Sequence, residues 1–177
     1  AKSLTVLDVG DLIAEFWTDS PPMPKDLIQD FSIEYTGHSR VDKLQAVRMK
    51  MARDGVDFTL ITSLDDIAWL LNIRGTDIAY NPLAYAYIVV TQCDATLFVD
   101  QEKLPSDLAA DLKDAVIHLA EYQELEEFIA GLKTGKKLSF SAGQCAHRLY
   151  KSIPKEVKRV RQASSISEMK SLKNETE

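Results

Sequence analysis

Few residues in this chain are of types that do chemistry, and their spacing limits what they could do. Asp65 and Asp66 are adjacent carboxylates, the residue type of a general acid and base. Neighbours on a helix project about 100° apart, so the pair is not expected to converge on one atom. Two acids in a first helical turn instead stabilise the helix through its dipole. The three histidines, His38, His118 and His147, fall in separate segments and form no HExxH or other ligand spacing. His118 alternates with Ile117 and Leu119 and reads as a packed strand residue. Cys145 and His147 stand two apart at a helix start, which turns them away from each other and disfavours a nucleophile pair. Cys93 and Cys145 lack CxxC spacing, so neither a disulfide framework nor a zinc knuckle is indicated. No GxGxxG or GxxxxGK[ST] phosphate cradle can be read. The chain is thus expected to carry no catalytic residue, no metal ligand and no cofactor-binding residue.

Two polar groups remain. Arg148, Lys151, Lys155, Lys158, Arg159 and Arg161 form a basic cluster on a chain of net charge -6. Only Tyr150 is interleaved, and Glu121, Glu124, Glu126 and Glu127 can balance the charge, so a solvated or interdomain face is expected, not a nucleic-acid surface. Tyr80, Tyr85 and Tyr87 are expected to pack on a strand face. Residues 72–82 gather Arg74, Gly75, Asp77 and Asn81 between two apolar elements, where rigid scaffolds carry their sites. Two readings stand for this loop. It is internally bonded, with Arg74 paired to Asp77, or Arg74, Asp77 and Asn81 contact a neighbouring domain or subunit. A separate catalytic site here loses its motive if Arg74 and Asp77 pair and no cleft adjoins them.

The elements that must hold these residues are legible as patterns. Residues 9–17 are amphipathic, and Pro21, Pro22 and Pro24 then forbid a helix. Trp17 is an anchor candidate on the main body. Ser39 with Asp42 forms a capping box for a helix that carries Val41, Leu44, Val47 and Met51 and stops at Gly55. Residues 58–62 read as a buried strand, and Ser63 caps a helix over 64–71. Residues 85–91 and 95–100 form an antiparallel hairpin across Gln92-Cys93-Asp94. Strands over 116–121, 138–141 and 157–161 then alternate with helices over 105–113, 123–132 and 144–151. This rhythm predicts an α/β fold: a mixed sheet with one antiparallel hairpin and helices on both faces. The 177 residues, 45% hydrophobic and 27% charged, suit one globular domain with an appendage. No apolar run is long enough to span a bilayer and no export signal is seen, so a cytoplasmic location without membrane or nucleic-acid partners is expected.

Residues 61–78, ITSLDDIAWLLNIRGTDI, followed by Tyr80-Asn81-Pro82, resemble the middle domain of three-domain Xaa-Pro aminopeptidases, in the creatinase and prolidase superfamily of metallopeptidases. Glu15-Phe16-Trp17 with the prolines after it is similar to that family's link from its first domain. Residues 37–55, with Lys43, Leu44 and Arg48, resemble the entry helix, and residues 170–177 the helix into the catalytic domain. The resemblance implies a linker over 1–37, a creatinase-N-terminal-like α/β domain with a ribonuclease-H-like motif over 38–165, and the start of a connecting helix over 166–177. It also implies a parent enzyme that releases the residue before a proline. Two divalent metals, manganese in this family, lie in a catalytic domain absent from this chain, as do their ligands. The arginine that touches substrate from outside that domain belongs to the family's first domain, so Arg74 does not inherit its role. Implied partners are the parent's first and catalytic domains, an X-Pro peptide and a second subunit in a homodimer. A stand-alone binding or regulatory module of the same fold is the alternative.

Overall fold

The computed structural model describes residues 12–176. Helix α1 (Leu12–Phe16) and the proline-rich stretch after it lie on the outside, with Phe16 and Trp17 exposed; Trp17 is no buried anchor. The chain joins the body at Ile28, which is fully buried and donates its N–H to the Lys103 carbonyl at 2.8 Å. Strand β1 (Gln29–Asp30) then pairs antiparallel with β3 (Ile73–Arg74), and α2 (Ile33–Thr36) ends at Gly37. Part of the segment expected as a linker is therefore stitched to the main body.

Helix α3 (Arg40–Asp54) has the expected capping box. The Ser39 hydroxyl accepts from the Asp42 N–H, the Asp42 carboxylate accepts from the Ser39 N–H, and Gly55 closes the helix at φ +64°. Strand β2 (Phe58–Ile61) and α4 (Leu64–Leu71) follow as expected. Ser63 does not cap α4 with its side chain; its hydroxyl binds Asp65 instead. The hairpin of β4 (Ala86–Thr91) and β5 (Ala95–Val99) is antiparallel in the expected place. After it come α5 (Ser106–Asp114), β6 (Ile117–Ala120), α6 (Leu125–Ala130), β7 (Lys137–Phe140), α7 (His147–Ser152), β8 (Lys158–Arg161) and α8 (Ser165–Ser171). Val116, expected to open β6, instead sits at φ +59°, bonded back to the Lys113 carbonyl.

The six long strands form one mixed sheet in the order β6-β5-β4-β2-β7-β8, in which β4 alone runs against its neighbours. Strand alternation divides the core. Ala86, Ile88, Val90 and Leu97 meet α3, α4, α5 and α8 on one face, while Val89, Phe98, Leu138 and Phe140 meet α6 and α7 on the other. This is the three-layer arrangement that the strand–helix rhythm predicts. Thr59 and Ser139 share a buried 2.8 Å hydrogen bond across β2 and β7, which keeps two polar side chains satisfied inside the first of these cores.

Candidate functional site

Two loci at one end of the domain hold its buried charges. At the first, Asp66 on α4 is fully buried and accepts hydrogen bonds from the Ser164 hydroxyl at 2.5 Å, from Ser167 and from the Lys170 ammonium at 2.8 Å. Lys170 also binds Asp65. The expectation that adjacent helical carboxylates cannot converge is corrected here. The two side chains leave the backbone in different directions, yet one long lysine arm from α8 bridges both. Burial alone opposes ionisation of Asp65 and Lys170, but their mutual bonds outweigh it. The Asp65 carboxyl is held below its ordinary value and the Lys170 ammonium above its own.

The second locus is the loop over 72–82. Asn72 ends α4 in the left-handed region at φ 53°, donates to the His38 carbonyl at 2.9 Å and accepts from the buried Lys43 ammonium at 2.8 Å. Lys43 also donates to the Trp69 carbonyl and lies 4.2 Å from the centre of the Trp69 ring. Arg74 donates to the carbonyls of Ala68 and Ile73, and its guanidinium lies 4.2 Å over the Phe31 ring. Desolvation by partial burial lowers its pKa from the ordinary value. Asp77 does not pair with Arg74. Its side chain is 0% exposed, binds the Lys103 ammonium, itself 2% exposed, and accepts the Tyr85 N–H at 2.6 Å. Asn81 bonds within the loop, its amide to the Ala79 carbonyl at 3.3 Å. Tyr80, expected to pack on a strand, stands fully exposed at the tip with φ +65°.

Arg74 separates two clefts. One, of about 540 Å³, is lined by Leu27, Gln29, Gly75, Thr76, Tyr80 and Asn81 among others. The second, of about 310 Å³, lies between Trp69, Asn81 and Pro82 and the side chains of Asp65, Lys170 and Lys173. The first is lined by one cation, two hydroxyls and two amides, with no carboxylate, histidine or cysteine among its lining residues. Among the described residues no three histidine, cysteine or acidic side chains gather where a metal ion could sit.

The remaining candidates stay apart. His118 lies 3.7 Å from Asp94 at the surface, and His147 stacks near Tyr150. Burial pushes the Cys145 thiol up, away from a reactive thiolate. In the basic cluster Arg148 bonds to the acidic stretch, through Glu126 at 2.6 Å. Arg159 and Arg161 instead lie over Tyr150, and their hydrogen bonds lower the phenol's pKa. Among the described residues no helix is long and apolar enough to cross a membrane. Sequence reasoning assigned no role to Lys103 or to the Lys170 side chain, and it placed Tyr80 on a strand face instead of at an exposed loop tip. Lys103 and Lys170 show no local signal, because their partners lie 26 and about a hundred residues away.

Fold and loci together define an α/β sandwich domain with two clefts beside the loop over 72–82 and no metal-ligand cluster among its described residues. The chain belongs to the creatinase/prolidase N-terminal domain family, whose model matches residues 19–177. It is 36% identical to the Xaa-Pro aminopeptidase app-1 of Caenorhabditis elegans over 73% of this chain and 21% of that one. It is 31% identical to the Xaa-Pro aminopeptidase ApepP of Drosophila melanogaster over 95% of this chain and 28% of that one. Its structure matches an X-prolyl aminopeptidase of C. elegans, described as a cytosolic enzyme with a di-nuclear active site, with TM-score 0.86 and 29% identity. That match covers 94% of this chain and 28% of the other. The chain thus spans between a fifth and three tenths of the length of these relatives.

Proposed function

We propose that this chain is a non-catalytic domain, the middle one of three, of a cytoplasmic Xaa-Pro aminopeptidase that removes the residue preceding a proline. The observation that carries the reading is the match of nearly the whole chain to just over a quarter of the C. elegans X-prolyl aminopeptidase. The described residues gather no metal-ligand cluster, so no hydrolytic step is assigned to them. A pair of divalent metals, manganese by resemblance, would generate the attacking hydroxide from a site in another domain of the parent.

The work of this domain is to hold the assembly together and to shape access to that site. The loop over 72–82 faces a neighbouring domain or subunit: Arg74 and Asn81 line its clefts, and Asp77 braces it from beneath through Lys103. The purified 177-residue chain, incubated with manganese and an X-Pro peptide, releases no amino acid. Sustained turnover by this chain alone overturns the proposal, and so does a parent reading frame with no metal-ligand-bearing domain after residue 177, which would favour the stand-alone module. In the parent, Arg74→Ala weakens assembly or alters kinetics; unchanged assembly, stability and kinetics remove the loop from the proposal.

A further inference from the structure

Past α8 the chain turns back to its own domain. Leu172 and Lys173 are exposed, but Asn174 is half-buried against α2. Its side-chain amide donates to the Thr36 carbonyl at 3.0 Å, and its Oδ1 accepts the Thr176 N–H at 2.9 Å, which bends the backbone at that point. Thr36 is the last residue of α2, where carbonyls lack partners within their own helix, so Asn174 supplies a missing donor. Beside it Gly37 holds φ +68°, and a Cβ there would stand 2.6–2.7 Å from the Asn174 amide group. Glycine is needed twice at this position, for the left-handed backbone and for the room that Asn174 occupies.

Both ends of this strap are firmly based. Lys170 ties α8 to α4 through Asp65 and Asp66. On the other side Thr36 is only 4% exposed, Phe31 donates its N–H to the Asn72 carbonyl at 2.8 Å, and the Asn72 side chain donates to the His38 carbonyl at 2.9 Å. Thr36 and Asn174 are 138 positions apart, so the segment by which the chain enters the domain holds the segment by which it leaves. A neutral hydrogen bond at a half-exposed position contributes modestly, so the contact opens and recloses without unfolding the domain. We infer that Asn174, seated on Thr36 and Gly37, is a reversible latch that sets the course of the chain leaving this domain. Closed, it carries the backbone along α2; open, it frees the chain from residue 172 onward. The matched relatives are more than three times as long as this chain, so in a longer polypeptide the latch governs how the next domain is carried. That consequence rests on the reading of the chain as one domain of a longer aminopeptidase.

The experiment is a double-mutant cycle by urea unfolding of the 177-residue chain, followed by proteolysis of the parent. Gly37→Ala lowers the folding equilibrium constant about fivefold more in the wild-type background than beside Asn174→Ala, where the amide that the new Cβ would strike is gone. Asn174→Asp keeps an acceptor for Thr176 but offers no N–H to Thr36, and it destabilises as Asn174→Ala does. Equal effects of Gly37→Ala in the two backgrounds, or an Asn174→Asp variant as stable as wild type, overturn the latch. In the parent, Gly37→Ala leaves the bond after Lys173 chemically unaltered, and trypsin cuts it about fivefold faster. Unchanged cleavage in a parent that hydrolyses X-Pro peptides overturns the inference while leaving the proposed function standing. A parent without that activity fails the proposed function itself, and the cycle in the 177-residue chain still decides the latch.

Discussion

The ammonium of Lys170 lies 2.8 Å from a carboxylate oxygen of Asp66, joining α8 to α4 through a charge that water does not reach. Ser164 and Ser167 complete the shell of Asp66, and Lys170 extends to Asp65. Residues 104 positions apart thus fix α8 against α4.

Removing Lys170 should therefore cost more than a surface ion pair. Lys170→Met leaves Asp66 buried with only hydroxyl donors, and a loss of about 2–3 kcal/mol is expected. This stays below the range for a wholly dry pair because the lysine side chain is 21% exposed. Urea unfolding of the 177-residue chain measures it, and a loss under about 0.5 kcal/mol would return the contact to the surface class.

The same clamp has a pH signature. Asp65 is held below its ordinary value of 3.8, so its contribution is present above that pH and disappears as pH falls through the lower folded value. Lys170 is held above its ordinary 10.5, so its contribution is complete below that pH and is lost as pH rises through the higher folded value. Stability from the clamp is expected to be flat between these limits and to fall on both sides. Lys170→Met should flatten the acid limb, which unfolding midpoints measured from pH 2 to pH 6 would reveal.

Lys103 and Asp77 are a costlier pair, since one side chain is 2% and the other 0% exposed. One Asp77 oxygen is buried without a hydrogen-bond partner among the described residues, so the pair is not fully repaid for leaving water. Lys103→Met alone is expected to cost about 3–5 kcal/mol, and the Lys103→Met/Asp77→Leu double variant less than Lys103→Met. A double-mutant cycle by denaturant unfolding tests this.

Val116 should respond in the opposite direction. It is a β-branched residue at φ +59° and half exposed, so it carries backbone strain with little burial in return. Val116→Gly is expected to stabilise the chain by about 0.5–1 kcal/mol, the strain relieved less the entropy that glycine adds to the unfolded state. A fall in Tm would show that the valine side chain packs more tightly than its exposure indicates.

Most of the fold was legible because it is periodic. The capping box of Ser39 and Asp42, the apolar spacing along α3, the run at Phe58–Ile61 and the hairpin of β4 and β5 all lie where their patterns put them. The pairing of Gln29–Asp30 with Ile73–Arg74 was not legible, since two-residue strands have no period to detect. Loop chemistry was legible only in outline. Arg74, Asp77 and Asn81 stand out by polarity within one loop, but their partners differ from the simplest guess. Arg74 turns to carbonyls and to Phe31, and Asp77 turns inward to Lys103.

Residue types and spacing by themselves determined the class of this protein. Alternating strands and helices require a layered sheet, and histidines scattered without ligand spacing leave nothing from which to expect a metal site. Tertiary structure decided how the charges are used. Hydrophobic periodicity reports which face of an element is buried, but it is silent on which distant polar group meets another there. Asp66 meets Lys170, Asp77 meets Lys103 and Tyr80 meets solvent because chain crossovers bring α8 against α4 and raise the loop over 72–82 on a buried ion pair. Long side chains and long sequence separations place those contacts beyond any local pattern.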